Sequence, residues 1–335
     1  MFALVMHLAR AAFRYCGRFA PSPTGPLHFG SLIAAVGSYL DARHHAGLWR
    51  LRIEDVDQPR CQAGASDDIL RLLEAYGFEW DGEVIYQSRR TADYRAAFER
   101  LRAAGQVFPC ACTRSELADS RIDRPESESE SEPELASARL ANDGARVYPG
   151  TCRDGLPAGR VPRAWRLRVG DARIHFADAV QGRIEQDLAR DAGDFILLRA
   201  DGLFAYQLAV VVDDAEQGIS HVVRGADLLD STPRQMLLQR LLNLPTPQYA
   251  HLPLAIDAGG EKLSKQTRAR PLMRSQARPA LFAALQFLGQ APSPDLRDAS
   301  LGELWQWAIG HWSLSGVPRR NRLAADLPEA YSCSS

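Results

Sequence analysis

Arg18-Phe19-Ala20-Pro21-Ser22-Pro23-Thr24-Gly25-Pro26-Leu27-His28-Phe29-Gly30-Ser31 is the stretch on which the reading of this chain turns. The residues leading into it, 14–20, suit a short buried strand, and 31–44 place Leu32, Val36, Tyr39 and Leu40 on one helical face. Strand, loop, helix is the resulting order. Between the two elements, prolines at 21, 23 and 26 fix φ and remove N–H donors, while Gly25 and Gly30 admit conformations or close approaches that a side chain would block. The loop is therefore stiff. At the helix start, unpaired N–H groups and the positive end of the dipole offer a seat for phosphate, with His28 and Ser31 as further donors. An ordinary surface turn with a satisfied histidine has the same composition. A P-loop is excluded, because the lysine that should follow the second glycine is missing.

Working outward, 48–54 alternates, with Trp49, Leu51 and Ile53 facing one way and Arg50, Arg52 and Glu54 the other. Such a strand delivers polar groups at its C-terminal end. Glu54, Asp55 and Asp57 then gather three carboxylates where strand meets loop, the usual place for ligands in an open α/β sheet. A solvated loop with Asp57 as a cap is the competing account. Helices are expected at 66–76 and 91–104, with Ser66 and Thr91 as N-caps. The βαβ alternation predicts an α/β fold, a Rossmann-like doubly wound parallel sheet that binds a nucleotide. Further on, 164–169 and 173–177 read as strands, and 195–200 with 204–212 flank Asp201-Gly202 as a β-hairpin. A strand at 221–225, a helix near 232–242 and the polar loop Lys262-Leu263-Ser264-Lys265-Gln266 follow.

The composition, 46% apolar and 24% charged, is that of an ordinary soluble enzyme, and 335 residues suffice for two domains. A net charge of −1 excludes a protein coated in basic surface. Residues 119–136 carry seven acids against two arginines, a local −5, which leaves about +4 elsewhere and keeps a nucleic-acid partner open. Within them the Glu/Ser repeat at 125–132 cannot bury apolar surface and is expected to be a mobile loop. Residues 1–13 lack a basic start and a cleavage site and read as a dispensable extension. No run approaches the roughly 20 apolar residues needed to span a bilayer, so no membrane role is expected.

Six cysteines without a disulfide-rich pattern point to a reducing cytoplasm. Three of them, Cys110, Cys112 and Cys152, could hold zinc across the acidic tract. Structural zinc wants four ligands, and no fourth cysteine or nearby histidine exists. Tyr148 is the best remaining donor, although its phenol must lose a proton with a pKa of about 10. Free buried cysteines remain the alternative.

Taken together, 18–25, His28-Phe29-Gly30-Ser31, Arg52-Ile53-Glu54-Asp55 and Lys262-Leu263-Ser264-Lys265 match in order and spacing, and the chain resembles the class I glutamyl-tRNA synthetase catalytic core over roughly residues 14–270. The chain ends about 70 residues after the lysine loop, too soon for an anticodon-binding domain. That brevity and the Cys-x-Cys, Tyr-x3-Cys pattern resemble the truncated paralogue family, the glutamyl-queuosine tRNA(Asp) synthetases. The resemblance implies a nucleotide-binding domain in two halves, 14–108 and 194–257. They are separated by an inserted zinc-binding, acceptor-type subdomain at 109–193 and followed by a lysine loop and helical region at 258–335.

It also implies roles. His28 and Lys265 are the expected catalytic residues, and ATP with Mg2+ falls to His28, Gly30, Ser31, Lys262, Ser264 and Lys265. Glutamate falls to Arg18, Phe19, Ala20, Pro21, Ser22, Glu54, Tyr206 and Arg224, because carboxylates need guanidinium forks and the ammonium needs an acceptor. Zn2+ falls to Cys110, Cys112, Tyr148 and Cys152. The implied partners are glutamate, ATP and queuosine-containing tRNA(Asp), met by a cytoplasmic monomer. A truncated glutamyl-tRNA synthetase and an inactive tRNA-binding regulator are the rivals. From Lys262 onward ten Lys/Arg face five Asp/Glu, which suits an RNA backbone or an ordinary helical tail.

Overall fold

The computed structural model describes residues 15–113, 115–116, 147–256 and 270–325. The acidic tract, the lysine loop with Lys262, Ser264 and Lys265, and the first residues of the chain lie outside them. Strand β1 (Cys16–Phe19) leads through the Pro/Gly loop into helix α1 (Phe29–His44), then β2 (Leu48–Ile53), α2 (Ala65–Ala75), β3 (Ile85–Tyr86) and α3 (Thr91–Ala103). β1 and β2 are parallel with Cys16 opposite Leu48, and β2 and β3 are parallel with Arg52 opposite Ile85. The alternation in β2 decides its placement. Trp49, Leu51 and Ile53 are fully buried in the core, while Arg52 and Glu54 are buried on the polar side that builds the site.

Neither expected N-cap is one. α2 begins after Gly64, whose φ is +77°, and α3 after Arg90, so Ser66 and Thr91 sit inside the first turns. At α3 the chain entry is fixed instead by tertiary ion pairs of Arg90 with Asp213 and Glu216.

After α3 the chain runs through β4 (Val107–Cys110), β5 (Ala164–Leu167), the hairpin β6 (Arg173–Asp178) and β7 (Gly182–Asp187), the short helix α4 (Leu188–Asp191) and β8 (Ile196–Leu198). β4, β5 and β8 form one antiparallel sheet, drawing strands from both sides of the expected insert boundaries. The β6–β7 hairpin is fastened to the rest of the protein at its tip, where Ala179 N–H donates to Tyr249 O at 2.9 Å.

The second half comprises α5 (Tyr206–Glu216), β9 (His221–Gly225), α6 (Thr232–Leu241), β10 (Gln248–Leu252) and β11 (Leu254–Ile256). α7 (Ala277–Phe287), α8 (Leu301–His311) and β12 (Arg322–Ala324) complete it. β9 and β10 are parallel, and Ser220, just ahead of β9, donates its N–H to Cys16 O at 2.9 Å, which sets β9 beside β1.

The expected hairpin at 195–212 is half right. The turn exists, with Gly202 at φ +81° and a bridge between Leu198 and Phe204, but the second arm is the helix α5. Leu208, Ala209, Val210 and Val211 are all buried, so the continuous apolar run that looks like a strand is a helix enclosed by core, a distinction periodicity cannot make over a short window.

α1 is the axis of the first core, packed by β1, β9, α7 and α8. Its Gly37 is required by close approach, since a Cβ there would lie 2.5 Å from Leu252 Cδ1. Among the described residues no helix is long and apolar enough to cross a membrane.

Candidate active site

The Pro/Gly loop is tied down by its carbonyls, the one backbone polar group proline keeps. Pro21 O accepts from Glu54 N–H at 3.0 Å, Pro23 O from Gln62 N–H at 2.9 Å and Leu27 O from Leu272 N–H at 2.9 Å. Gly25 takes φ +137°, where a Cβ would also meet the Gln62 side chain at 3.2 Å. His28 is the N-cap residue of α1, and its Nε2 lies 3.2 Å from Ser31 Oγ. Gly30 sits in the first turn of α1 with no side chain between helix N-terminus and solvent.

The loop forms one wall of a cavity of about 750 Å3. Every described residue expected to touch ATP or glutamate lines it. Arg18, Phe19, Ala20, Pro21, Ser22, His28, Gly30 and Ser31 come from the loop and α1, Glu54 from the end of β2, Tyr206 from the start of α5 and Arg224 from β9. The two groups are thus brought to one space. Lys262, Ser264 and Lys265 lie outside the described residues.

The polar floor is an ion-pair network. Asp214 Oδ1 lies 3.4 Å from Arg18 Nε and 2.8 Å from Arg52 Nη2, and the same Arg52 nitrogen reaches Glu54 Oε1 at 3.2 Å. Asp213 accepts from Arg90 Nε at 2.6 Å, Gln87 Nε2 at 2.7 Å and Tyr94 Oη at 2.9 Å. Arg52 is fully buried, with its charge upheld against burial by Asp214, Glu54 and Asp213. Burial pushes the Glu54 carboxyl up, opposed by Arg52 and Arg18. Asp214 moves the other way: the two arginines outweigh burial and hold its carboxyl below the usual range. Tyr206 is pushed up to about 12 by burial and by Glu54, so its hydroxyl is a neutral donor and acceptor at physiological pH.

Arg224 is held from behind. Its Nε donates to His251 Nε2 at 3.1 Å and its Nη2 to Thr232 Oγ1 and Gln235 Oε1, each at 2.8 Å, while buried Nη1 has no protein partner. Arg224 itself lines the cavity, and Nη1 is its one guanidinium nitrogen without a protein partner among the described residues. Of the other expected carboxylates, Asp55 binds Ser88 N–H and Oγ at 2.8 and 2.7 Å, and Asp57 pairs with Arg199 at 3.0 Å. Asp57 makes no side-chain cap.

Away from this cavity, the Sγ atoms of Cys110, Cys112 and Cys152 lie within 4.8 Å of one another. Tyr148 Oη is 3.6 Å from Cys110 Sγ and 3.8 Å from Cys112 Sγ, and it accepts the Cys152 N–H at 2.8 Å. Arg166 Nε approaches Cys110 Sγ at 3.3 Å, and its guanidinium lies 4.0 Å from the centre of the Tyr148 ring. Despite burial, hydrogen bonds from Arg166 and Tyr148 pull the Cys110 thiol below its usual value. Burial pushes Cys112 up to about 11 and raises Tyr148 as well. The donor set fits a thiophilic dication, whose charge is what four such groups need to ionise together.

A profile of the tRNA synthetases class I (E and Q), catalytic domain, matches residues 16–288. The chain belongs to this family. A curated relative from Aromatoleum aromaticum, named glutamyl-Q tRNA(Asp) synthetase, is 61% identical over 322 residues, covering 96% of each chain. A second of the same name from Dechloromonas aromatica is 57% identical over 92% of this chain and 97% of its own. Among solved structures, a glutamate tRNA ligase from Elizabethkingia meningosepticum in complex with its amino acid is similar with a TM-score of 0.73 at 25% identity, over 93% of this chain and 68% of that one. By these curated relatives the chain is a member of the glutamyl-Q tRNA(Asp) synthetase branch of the family.

Sequence reasoning missed the residues that hold the expected ones. Arg52 sits in a quoted motif without a role, and Asp213, Asp214, Asp178 and His251 were unassigned. The acid pair carries a signal, because Asp213-Asp214 directly follows Val210-Val211-Val212, and charges closing a buried apolar run must be paired.

Proposed function

We propose that the chain activates glutamate with ATP to glutamyl-adenylate and transfers the glutamyl group to the queuosine base of tRNA(Asp). The observation that supports this reading is the shared cavity, which is lined both by the N-terminus of α1 and by two buried cations, Arg18 and Arg224, with one buried carboxylate, Glu54. Arg18 and Arg224 grip the carboxylates of glutamate, Glu54 accepts from its ammonium and Tyr206 adds a hydrogen bond. Held there, a glutamate α-carboxylate oxygen attacks the α-phosphorus of ATP, the bond to the β-phosphate bridge breaks and pyrophosphate leaves. His28 and the N–H groups at Gly30 and Ser31 hold phosphate oxygens as charge moves to the leaving group. Lys265, with Lys262 and Ser264, meets pyrophosphate from the lysine loop, and Mg2+ accompanies ATP. In the second step a queuosine hydroxyl attacks the glutamyl carbonyl and AMP leaves.

Zinc on Cys110, Cys112, Tyr148 and Cys152 would act structurally, cross-linking the two ends of 111–151. The partition at 14–108, 109–193, 194–257 and 258–335 goes with this reading, the insert and the C-terminal region serving the RNA. Transfer of labelled glutamate to tRNA(Asp) with and without queuosine tests it. Labelling that requires queuosine is the expected result. Acylation of a tRNA 3′ end in place of the base would overturn it in favour of a short glutamyl-tRNA synthetase.

A further inference from the structure

Behind the cavity, the hold on Arg224 continues through a buried polar chain into the β6–β7 hairpin. Arg224 Nε donates to His251 Nε2 at 3.1 Å, and His251 Nδ1 lies 2.6 Å from Asp178 Oδ2. The His251 and Asp178 side chains have no solvent exposure. The other Asp178 oxygen, Oδ1, accepts the backbone N–H groups of Val180, Gln181 and His251 at 3.0, 2.8 and 3.1 Å. Asp178 closes β6 and His251 lies on β10, 73 residues later, so a hairpin outside the nucleotide-binding sheet supplies the last link.

One arrangement of protons satisfies this chain. A guanidinium nitrogen only donates, so His251 Nε2 accepts, and the ring proton sits on Nδ1 and goes to Asp178. The ring itself is neutral, since burial, with Arg224 nearby, pushes its pKa down to about 4 despite Asp178. Thr232 Oγ1, 3.1 Å from Nε2, receives Arg224 Nη2 and turns its own proton to Leu228 O. With Nε and Nη2 committed in this way, Nη1 is the guanidinium donor without a protein partner.

We propose that Asp178 is a positioning residue which, by fixing the tautomer of His251, aims Arg224 at a substrate carboxylate and so sets the affinity for glutamate. The proposal rests on the reading of Arg224 as a glutamate contact. Asp178→Asn tests it almost isosterically. The three N–H donors at Oδ1 keep the amide oxygen there, so the NH2 group takes the place of Oδ2 and faces His251 Nδ1. The ring must then carry its proton on Nε2, donor against donor with Arg224 Nε.

In glutamate-dependent ATP/pyrophosphate exchange without RNA, Asp178→Asn is expected to raise KM for glutamate about tenfold or more and to change KM for ATP less than about twofold. His251→Gln can offer its carbonyl to Arg224 and its NH2 to Asp178, the polarity of the native tautomer, and is expected to stay within about threefold of wild type. A packing role predicts the reverse order, because the glutamine removes a ring whereas the asparagine removes no volume. That reverse order, or a wild-type KM in Asp178→Asn while Arg224→Ala raises it, would overturn the positioning role alone. A wild-type glutamate KM in Arg224→Ala would overturn both the positioning role and the reading beneath it. Should Asp178→Asn fail to fold, the 15N spectrum of wild-type His251 decides, with Nδ1–H expected and Nε2–H contradicting the proposal.

Discussion

At the end of the cavity proposed for glutamate, buried Arg18 and Arg52 pair with Asp214 and buried Glu54 pairs with Arg52, whereas at the end proposed for phosphate His28 meets Ser31 at 3.2 Å above a helix N-terminus that lines open space. The first is built from charges fixed before any substrate arrives. The second offers backbone dipoles and small side chains that ATP itself must complete. A carboxylate ligand of fixed size is best selected by a prepaired site, because a wrong ligand leaves buried charges unmatched. A triphosphate that must leave as pyrophosphate is better served by donors that engage as charge develops.

The largest effect that separates the two ends is on stability. Removing one member of a buried charge network costs about 3–5 kcal/mol, so Asp214→Ala should lower the unfolding free energy by that much, read as a lower chemical denaturation midpoint, with Arg18 and Arg52 left without their shared carboxylate. No such loss is expected for His28→Ala, which should leave the denaturation midpoint near wild type. Its effect belongs to chemistry: loss of one transition-state donor lowers kcat for ATP/pyrophosphate exchange about 100-fold while KM for glutamate holds.

A smaller effect sharpens the glutamate end by pH. Burial raises the folded pKa of Glu54, and the ammonium of glutamate needs it ionised. KM for glutamate should therefore rise as pH falls through that raised value, and Glu54→Gln, with a KM already high, should lose this limb of the profile. The smallest effect is a control. Arg71 pairs with Asp68 at 3.0 Å on the exposed face of α2, and Arg71→Ala should shift stability by no more than about 0.5 kcal/mol.

What the sequence disclosed follows the same division. The stiff loop and the helix start at the end proposed for phosphate were legible because Pro21 through Ser31 are contiguous and proline, glycine and a helix start leave local signatures. The strand carrying Glu54 was legible from its strict alternation. By contrast, the network behind the glutamate end joins Arg52 to Asp214 and Asp178 to His251 across long separations, and no local spacing encodes those pairs. The misread second arm of the hairpin has the same origin. Leu208 to Val211 are apolar because α5 is enclosed on all sides, and that enclosure is decided by packing elsewhere in the chain. Clustering of Cys110, Cys112, Tyr148 and Cys152 was foreseeable in kind, while the approach of Arg166 to Cys110 comes from a strand register that only the fold supplies.

On the proposed function one cavity holds both reactants, with the amino-acid half assembled by the protein alone. ATP/pyrophosphate exchange measured with glutamate and no RNA tests it most directly. Exchange that depends on glutamate, ignores glutamine and aspartate, and proceeds without tRNA is the predicted result; exchange that appears only when tRNA is added would contradict it.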